Sequence, residues 1–137
     1  MTATDVADVK YYQTCAKIEL KQYQNAIALV KEDGLRIADV DSKLLTEELC
    51  IFAVQQNPDA FVLIPDHIKY QVSFLKVVLL HEGKLLKLVE SSRFSKQTYE
   101  QLCFNAIGNN PDNIQYVEDE MLYLHFESLL DFSIVDI

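Results

Sequence analysis

The sequence lacks the features of a membrane protein or a secreted protein. No apolar run in its 137 residues approaches the roughly 18 residues that indicate a transmembrane helix. The N-terminus has neither the basic segment nor the apolar segment of a secretory signal. The three cysteines, Cys15, Cys50 and Cys103, are an odd number and lie far apart, which argues against a disulfide framework. We therefore predict a cytoplasmic protein with three buried thiols.

Signatures of catalysis and of cofactor binding are also missing. His81-Glu82 begins like the metalloprotease helix motif, but the second histidine does not follow. The three histidines have no metal-ligand spacing with the cysteines, and we expect His67 and His81 to be exposed. The glycines do not form a phosphate-binding loop. We predict that the chain is not an enzyme and that it needs neither a metal nor another cofactor.

Basic residues are absent from the last third of the chain. All 12 Lys and Arg residues lie in residues 1–96, whereas residues 97–137 hold eight acids and neither Lys nor Arg. The net charge of −9 therefore comes almost entirely from the C-terminal third. Because recognition of a nucleic-acid backbone needs a basic patch, we exclude nucleic acid as a partner.

The most regular stretch of the sequence runs from Thr46 to Lys69 and predicts a helical hairpin. Thr46 is suited to cap a helix, and apolar residues follow it at helical spacing. Asn57-Pro58 ends that helix, and Pro58 suits the first turn of a second helix of two turns. Two such short helices are marginal alone, so this hairpin needs neighbours.

Copies of the hairpin lie on both sides of this stretch. Asn110-Pro111 repeats the Asn57-Pro58 break, and Cys103 repeats the position of Cys50, which favours a packing role for both thiols. Two fainter copies have Gly34 and Gly83 at the position of the proline. The four copies span residues 22–45, 46–69, 70–94 and 98–120.

We therefore predict an all-α fold, a single domain over residues 1–137 that forms a small α-solenoid of about four short helical-hairpin repeats with N- and C-terminal capping helices. The N-terminal cap is predicted at residues 4–20 and the C-terminal helix at residues 121–131. Five residues of the N-terminal cap are expected to face inward: Val6, Val9, Tyr12, Ala16 and Ile18. An irregular helical domain whose helices are merely short is the alternative.

The stretch TEELCIFAVQQNPDAFVLIPDHIK resembles a short tandem helical repeat of uncharacterised function that occurs in bacterial and giant-virus proteins. Units of that family read Thr-x-Glu-Leu-Cys-x-x-Ala-Val-x-x-Asn-Pro, followed by apolar, proline and acidic positions. The resemblance is strong at 46–69, good at 98–120, and weak in the two copies with glycine. It implies stacked helices and an interaction role, and it supplies no catalytic residues.

The acidic third is the candidate partner-binding region. Aromatic side chains anchor protein interfaces, and surrounding acids steer a basic partner. The candidate residues are Tyr116, Glu118, Asp119, Glu120, Tyr123, Glu127 and Asp131. The alternative interpretation is a solvated face that charge keeps soluble.

Two functions remain open at this point. The first is an acidic protein-binding module that neutralises a basic protein, in the sharpest version an immunity protein or antitoxin that inhibits a bacterial nuclease toxin. Such a protein can occupy the basic surface with which a nuclease holds phosphates. The second is a helical-repeat effector or phage-type inhibitor that binds a cellular protein through the concave face of the repeats.

Overall fold

The computed structural model describes the backbone of residues 3–135 and the side chains of residues 9–130. Within these limits the chain is helical throughout and contains no strand, which confirms the all-α prediction. None of the described helices is both long enough and apolar enough to span a membrane.

Residues 3–135 contain α-helices that alternate with 3-10 helices. The α-helices are α1 (Ala3–Glu32), α2 (Glu47–Gln56), α3 (Asp66–Lys69), α4 (Val72–His81), α5 (Lys96–Asn109) and α6 (Glu120–Val135). The 3-10 helices are η1 (Gly34–Asp39), η2 (Ser42–Leu44), η3 (Pro58–Leu63), η4 (Gly83–Leu88), η5 (Ser91–Arg93) and η6 (Pro111–Tyr116). An α-helix followed after one residue by a six-residue 3-10 helix occurs four times. We number these pairs units 1 to 4: α1–η1, α2–η3, α4–η4 and α5–η6.

The predicted breaks lie where each α-helix changes to a 3-10 helix. Pro58 and Pro111 open η3 and η6, while Gly34 and Gly83 open η1 and η4. In unit 2 the Oδ1 atom of Asn57 accepts the backbone N–H two residues ahead at 3.0 Å, which caps η3. The second segment of each predicted hairpin is therefore a 3-10 helix, the helix type that proteins use in short pieces.

The start of α2 confirms one predicted cap, and the start of α5 differs from the prediction. Thr46 Oγ1 accepts the backbone N–H of Leu49 at 3.1 Å, as the sequence predicts. In unit 4, Ser95 Oγ accepts the N–H of Thr98 at 3.1 Å, so α5 begins before the predicted boundary at residue 98. The cap forms at the serine because an extended residue with a side-chain oxygen stands there.

The N-terminal helix corrects the predicted boundary between a cap at 4–20 and a first repeat at 22–45. One helix of 30 residues runs from Ala3 to Glu32, because no glycine or proline interrupts it. Four residues that were expected to face inward are exposed instead: Val9 (45%), Tyr12 (69%), Ala16 and Ile18 (54%). Val6 lies outside the described side chains. The buried face of α1 begins only at Tyr23, which packs against the core.

The last helix is longer than the predicted range of 121–131, since α6 extends from Glu120 to Val135. Leu122 and Phe126 are buried and hold α6 on the rest of the molecule. The ring of Phe126 meets that of Phe104 on α5 edge to face, with 4.9 Å between the ring centroids.

The cysteines divide into two that pack in the core and one that does not. Cys50 and Cys103 occupy matching positions of α2 and α5 and are fully buried. Burial raises the pKa of Cys50 to about 11, with a smaller contribution from Glu47. Burial also raises the pKa of Cys103 to about 12. Cys15 is only half-buried, because it lies on the uncovered part of α1, so the prediction of a third buried thiol is wrong.

The helices pack in chain order. Helix α1 contacts α2, α2 contacts α4, and α4 contacts α5, while α6 rests on η6 and on Phe104 of α5. Among the 3-10 helices, η1 packs on α2 and η3, and η4 packs on α5 and η6. The core therefore runs continuously through the four units, and α1 and α6 occupy its two ends.

Candidate functional site

Glu120 and Glu127 are the two predicted site residues that the structure leaves most available. Both side chains are exposed on α6, and seven residues apart they lie on the same side of the helix. Neither makes a hydrogen bond or an ion pair with another described side chain. We call Glu118, Glu120 and Glu127, together with the exposed residues between them on α6, the acidic surface.

Glu118 and Asp119 have structural partners that the sequence did not predict. Glu118 Oε2 accepts the backbone N–H of Ser91 at 3.1 Å and so ties the start of α6 to η5. Asp119 Oδ1 accepts the N–H of Leu122 at 3.1 Å and caps α6. Of these two acids, Glu118 is exposed and Asp119 is half-buried, so Asp119 contributes to the fold more than to the surface.

Tyr99 on α5 holds the backbone at Glu118, just before α6, by a hydrogen bond. Its hydroxyl oxygen accepts the backbone N–H of Glu118 at 3.0 Å. Burial is the main reason that the pKa of Tyr99 lies well above its ordinary value. The phenol therefore stays neutral at physiological pH and fixes the backbone that carries the acidic surface.

The predicted aromatic anchors are less available than the sequence suggested. Tyr116 and Tyr123 are half-buried and pack against the core. Asp131 lies within α6, but its side chain is outside the described ones. The predicted site thus comes together at one end of the molecule, although only part of it faces solvent.

Sequence reasoning missed part of the apolar surface beside these acids. Phe104 on α5 is 50% exposed, and Leu124 on α6 is 51% exposed. Met121, the residue after Glu120 in α6, is 67% exposed. The signal was present in the sequence, because Leu124 lies four residues after Glu120 and therefore on the acidic side of α6. Exposed apolar groups among acids are typical of interaction surfaces.

The histidines and acids do not gather into a metal site within the described part of the chain. No group of three or more His, Cys, Asp or Glu side chains in that part could hold a metal ion. His67 and His81 are exposed, as predicted. His125 Nε2 lies 3.9 Å from Glu100 Oε1, a separation that gives an ion pair only when the imidazole is protonated.

We call the contact between two successive units a joint. Two of the three joints contain the same set of hydrogen bonds, which we call the clamp: an amide side chain of one unit accepts the backbone N–H of a glycine in the preceding unit and donates to backbone carbonyls there. At the joint between units 1 and 2, the side-chain oxygen of Gln56 accepts the backbone N–H of Gly34. The amide nitrogen of Gln56 donates to the carbonyl of Glu32 at 3.4 Å. A Cβ atom on Gly34 would collide with the carbonyl oxygen of Ala53. Glycine is therefore required here because the next helix approaches its backbone.

The joint between units 3 and 4 repeats this arrangement with Asn109 in the place of Gln56. Asn109 Oδ1 accepts the N–H of Gly83 at 2.9 Å, and Asn109 Nδ2 donates to the carbonyl oxygens of Leu80 and His81 at 3.1 and 3.2 Å. A Cβ atom on Gly83 would lie against the Ala106 carbonyl and the Asn113 amide.

The middle joint, between units 2 and 3, has neither half of this clamp. Pro58 stands at the position of the two glycines and has no N–H to offer. His81 stands at the position of Gln56 and Asn109, and it is exposed. The two units still join through α2 and α4 and through the stacked rings of Phe61 and Phe74, whose centroids are 6.3 Å apart.

A groove of about 410 Å³ opens between η3 and η4 at this middle joint. It combines apolar residues with two acids and two lysines. Its walls are formed by Pro58, Asp59, Val62, Glu82, Lys84, Leu85, Lys87 and Leu88. Val62 and Leu88 are 62% and 40% exposed, so the groove presents apolar surface with balanced charge.

Comparison with protein-family models, with curated proteins and with solved structures found no match for this chain. The resemblance to a tandem helical repeat of uncharacterised function therefore stays a prediction. The acidic surface and the groove are the two features of the described chain that suit a partner.

Proposed function

We propose that this chain is a protein-binding module whose acidic surface neutralises a basic protein. The supporting observation is the segregation of charge. Residues 97–137 contain no Lys or Arg, and Glu120 and Glu127 are exposed there beside Leu124 and Met121. Such a surface steers a cationic partner by its field and holds it by apolar contact.

The sharpest version of this proposal is an immunity protein or antitoxin that blocks a bacterial nuclease toxin in the cytoplasm. Nucleases expose cations to bind phosphates, so an acidic protein fits the same site. The chain itself acts here as an inhibitor and carries out no reaction. Three cysteines without a disulfide agree with a reducing compartment.

We also propose that the four units form a small α-solenoid and a single domain. Support comes from the recurrence of an α-helix, one connecting residue and a six-residue 3-10 helix. The matching clamps at Gly34 and Gly83 point the same way, because they join equivalent positions of successive units. In repeat proteins each unit contacts mainly its neighbours, and the chain-order packing agrees with this.

The proposed function is tested on the product of an adjacent open reading frame that encodes a basic nuclease. The purified chain is added to that nuclease, and both nuclease activity and the dissociation constant are measured. The variant Glu120→Lys/Glu127→Lys is expected to bind at least about tenfold more weakly, because two steering charges are reversed. Binding of the unaltered chain is expected to weaken as salt is raised.

The matched control is Glu32→Lys/Glu48→Lys, which reverses two exposed acids outside the acidic surface and gives the same net charge. It should inhibit the nuclease as the unaltered chain does. Equal affinity of both variants would show that the acidic surface is not the binding site. Failure of the unaltered chain to bind the nuclease would reject the toxin-inhibitor version.

The groove between η3 and η4 favours a second candidate, a repeat protein that binds a cellular protein through this face. The observation is apolar surface on Val62 and Leu88 with balanced charge around it. For a partner held there, Val62→Glu/Leu88→Glu should abolish binding while Glu120→Lys/Glu127→Lys should leave it unchanged. The two pairs of variants thus separate the two candidates in one binding assay.

A further inference from the structure

The first half of α1 carries an apolar stripe that nothing in the described chain covers. Val9 and Tyr12 are 45% and 69% exposed, and Ala16 is exposed as well. Farther along the helix, Ala26 and Val30 are buried in the core. At about 3.6 residues per turn, the other residues of this set lie within about 60° of Tyr12 around the helix axis. The face by which α1 packs on the body therefore continues beyond the body.

The body of the molecule begins at the level of Glu19. A hollow of about 170 Å³ between α1 and η2 marks this edge. Its walls are formed by Glu19, Gln22, Lys43 and Leu44. On the N-terminal side of the hollow, from Val9 to Ile18, every side chain is exposed except the half-buried Cys15. These residues project from the four units as a helix, and we call residues 9–18 the α1 arm.

The α1 arm is poorly suited to stand alone in water. Helices shorter than about 12–15 residues are marginal even with the best sequences. The arm also contains β-branched and aromatic residues of modest helix propensity, namely Val9, Tyr11, Tyr12 and Ile18. A second surface against the stripe would supply the stabilisation that the local sequence lacks.

The charges of the arm lie away from the stripe. Lys10 and Lys17 are exposed and stand about 140–160° from Tyr12 around the helix axis. Lys21, at the base of the arm, is exposed too and stands about 180° from Tyr12. The arm contains no acid. A helix that covers the stripe therefore leaves all three lysines in water, and its own surface there has to be apolar.

Tyr12 and Ala16 make the stripe complementary to itself. They are a large and a small side chain one turn apart on the same face. When two arms cross antiparallel about a two-fold axis, Tyr12 of each copy lies against Ala16 of the other. The alanine lets the helix axes approach to about 8–10 Å, and the tyrosine ring fills the space opposite it while its hydroxyl reaches water. In a parallel pair the two tyrosines would meet each other, and so would the two alanines.

We propose that two copies of this chain form a symmetric dimer through their α1 arms, with the helices antiparallel and crossing at Tyr12 and Ala16. Val9 of the second copy then lies at the level of Glu19, at the rim of the hollow, where the exposed carboxylate stays in water. Both copies use the same surface, so the contact closes on itself and no further copies are added. The contact is small, and we therefore expect a weak and reversible dimer.

The dimer goes beyond the proposed function and is independent of it. In the chain-order packing α1 and α6 lie at opposite ends, so the acidic surface of each copy stays accessible. The groove between η3 and η4 is also outside the contact. The dimer thus presents two copies of each surface that suits a partner. Its test uses the purified chain alone and no nuclease.

The test measures molar mass by sedimentation equilibrium at concentrations up to about 1 mM. The unaltered chain should pass reversibly from monomer to dimer and form nothing larger. Ala16→Glu places an unpaired charge at the crossing point and should raise the dissociation constant of the dimer at least about tenfold. The matched control is Ala28→Glu, the same change at an exposed alanine of α1 that stands about 160° from Tyr12. It should dimerise like the unaltered chain.

Circular dichroism checks that both glutamate variants keep the helix content of the unaltered chain. An unaltered chain that stays monomeric throughout this range of concentration would overturn the proposal. So would a dimer that Ala16→Glu leaves intact, or one that Ala28→Glu weakens as much as Ala16→Glu does.

Cross-linking through Cys15 tests the orientation of the two arms. In the antiparallel pair the two Cys15 side chains meet beside the two-fold axis, because Cys15 lies between Tyr12 and Ala16 in sequence and about 60° from Tyr12 around the helix. Cys50 and Cys103 are fully buried, so a short bis-maleimide, which adds one thiol to each of its two double bonds, should join the copies through Cys15.

The variant Val9→Cys/Cys15→Ser separates the antiparallel pair from a parallel one. Its two thiols would lie about 15 Å apart along the antiparallel pair, the rise of ten helical residues, and a reagent shorter than this should not join them. In a parallel pair they would lie side by side. Cross-linking through residue 9 as efficient as through Cys15 would overturn the antiparallel geometry, and a lack of cross-linking through Cys15 would overturn the contact.

Discussion

The two outer joints, between units 1 and 2 and between units 3 and 4, contain the clamp, and the middle joint lacks it. At both outer joints an amide side chain, Gln56 or Asn109, accepts the N–H of a glycine in the preceding unit. At the middle joint proline and histidine replace these partners, and a groove of about 410 Å³ separates the 3-10 helices. The molecule thus consists of two clamped pairs of units joined through α2 and α4.

This difference explains why glycine and proline alternate at the four breaks. Glycine stands at Gly34 and Gly83, where the next unit closes on the backbone. Proline stands at Pro58, at the middle joint, which has no clamp. It also stands at Pro111 in the last unit, which is followed by α6 and not by a further unit. The residue type at each break therefore records what packs against it.

The largest expected effect is the loss of a clamped joint. Gly83→Ala should lower the free energy of unfolding by about 3 kcal/mol, because the added methyl group meets a backbone carbonyl and the buried Asn113. Gly34→Ala should act in the same direction. The measurement is urea unfolding followed by circular dichroism.

Gly108→Ala is the matched control for these glycine variants. A Cβ atom on Gly108 would meet nothing within 4 Å. Since Gly108 lies inside α5, alanine should stabilise the protein by about 0.5–1 kcal/mol. If Gly83→Ala left the free energy of unfolding unchanged or raised it as Gly108→Ala does, the close approach at the clamped joint would not exist.

The clamp side chain should have the next largest effect. Asn109→Ala removes the acceptor of the Gly83 N–H and the donor to two carbonyls. We expect a loss of about 2 kcal/mol in unfolding free energy. His81→Ala, at the same position of the middle joint, should change it by less than about 0.5 kcal/mol. Equal losses from both variants would contradict the distinction between the joints.

Alkaline pH should weaken units 2 and 4 through their matching thiols. Burial raises the pKa values of Cys50 and Cys103 from 9.0 to about 11 and about 12. The folded state holds these protons more tightly, so the stabilisation is complete below pH 9 and is lost as pH rises toward 11 and 12. Above pH 9, and up to the pKa of the folded state, each thiol lowers the free energy of unfolding by about 1.4 kcal/mol per pH unit. Cys103→Val should remove one such slope in unfolding curves measured from pH 8 to 11. An unchanged slope would mean that Cys103 is not buried.

The smallest expected effect comes from building the clamp into the middle joint. Pro58→Gly should destabilise the protein by about 0.4–1 kcal/mol through the entropy of the unfolded chain, and His81→Asn should be nearly neutral. The double variant should lose about 0.5–1 kcal/mol less free energy of unfolding than the sum of the two single variants, because the new backbone N–H of residue 58 and the new amide side chain of residue 81 can form a hydrogen bond. Strict additivity in this double-mutant cycle would show that the middle joint cannot close.

Much of the fold could be predicted from local sequence. Thr46 and Asn57-Pro58 mark helix ends through chemistry that acts within a few residues, and those predictions were correct. The predicted boundary at residue 20 is wrong. The apolar spacing in α1 predicts buried side chains, but Val9, Tyr12 and Ile18 are exposed in the described part of the chain. Exposure depends on what lies opposite a helix, and spacing along the chain does not contain that information.

The candidate site could be predicted only in part, for the same reason. Charge segregation directed attention to Glu120 and Glu127, which are exposed. Asp119 has the same charge but serves as a helix cap, and Glu118 also holds Ser91. The sequence analysis did not predict the groove. One difference was visible in the sequence, because the equivalent position in units 2 and 4 is an amide residue, Gln56 or Asn109, whereas in unit 3 it is His81. Recognising their role requires knowing which carbonyl and which N–H they reach.

Native-state hydrogen exchange compares the joints most directly, through one equivalent amide in each unit. The N–H after η3, in Ile64, bonds to Phe61 O at 3.2 Å, and the N–H after η4, in Val89, bonds to Leu86 O at 3.0 Å. Both side chains are buried. Asn109 accepts the N–H of Gly83 at the start of η4, whereas Pro58 at the start of η3 has no N–H to offer. Ile64 should therefore exchange at least about tenfold faster than Val89. Equal protection of the two amides, or slower exchange at Ile64, would contradict the division into two clamped pairs.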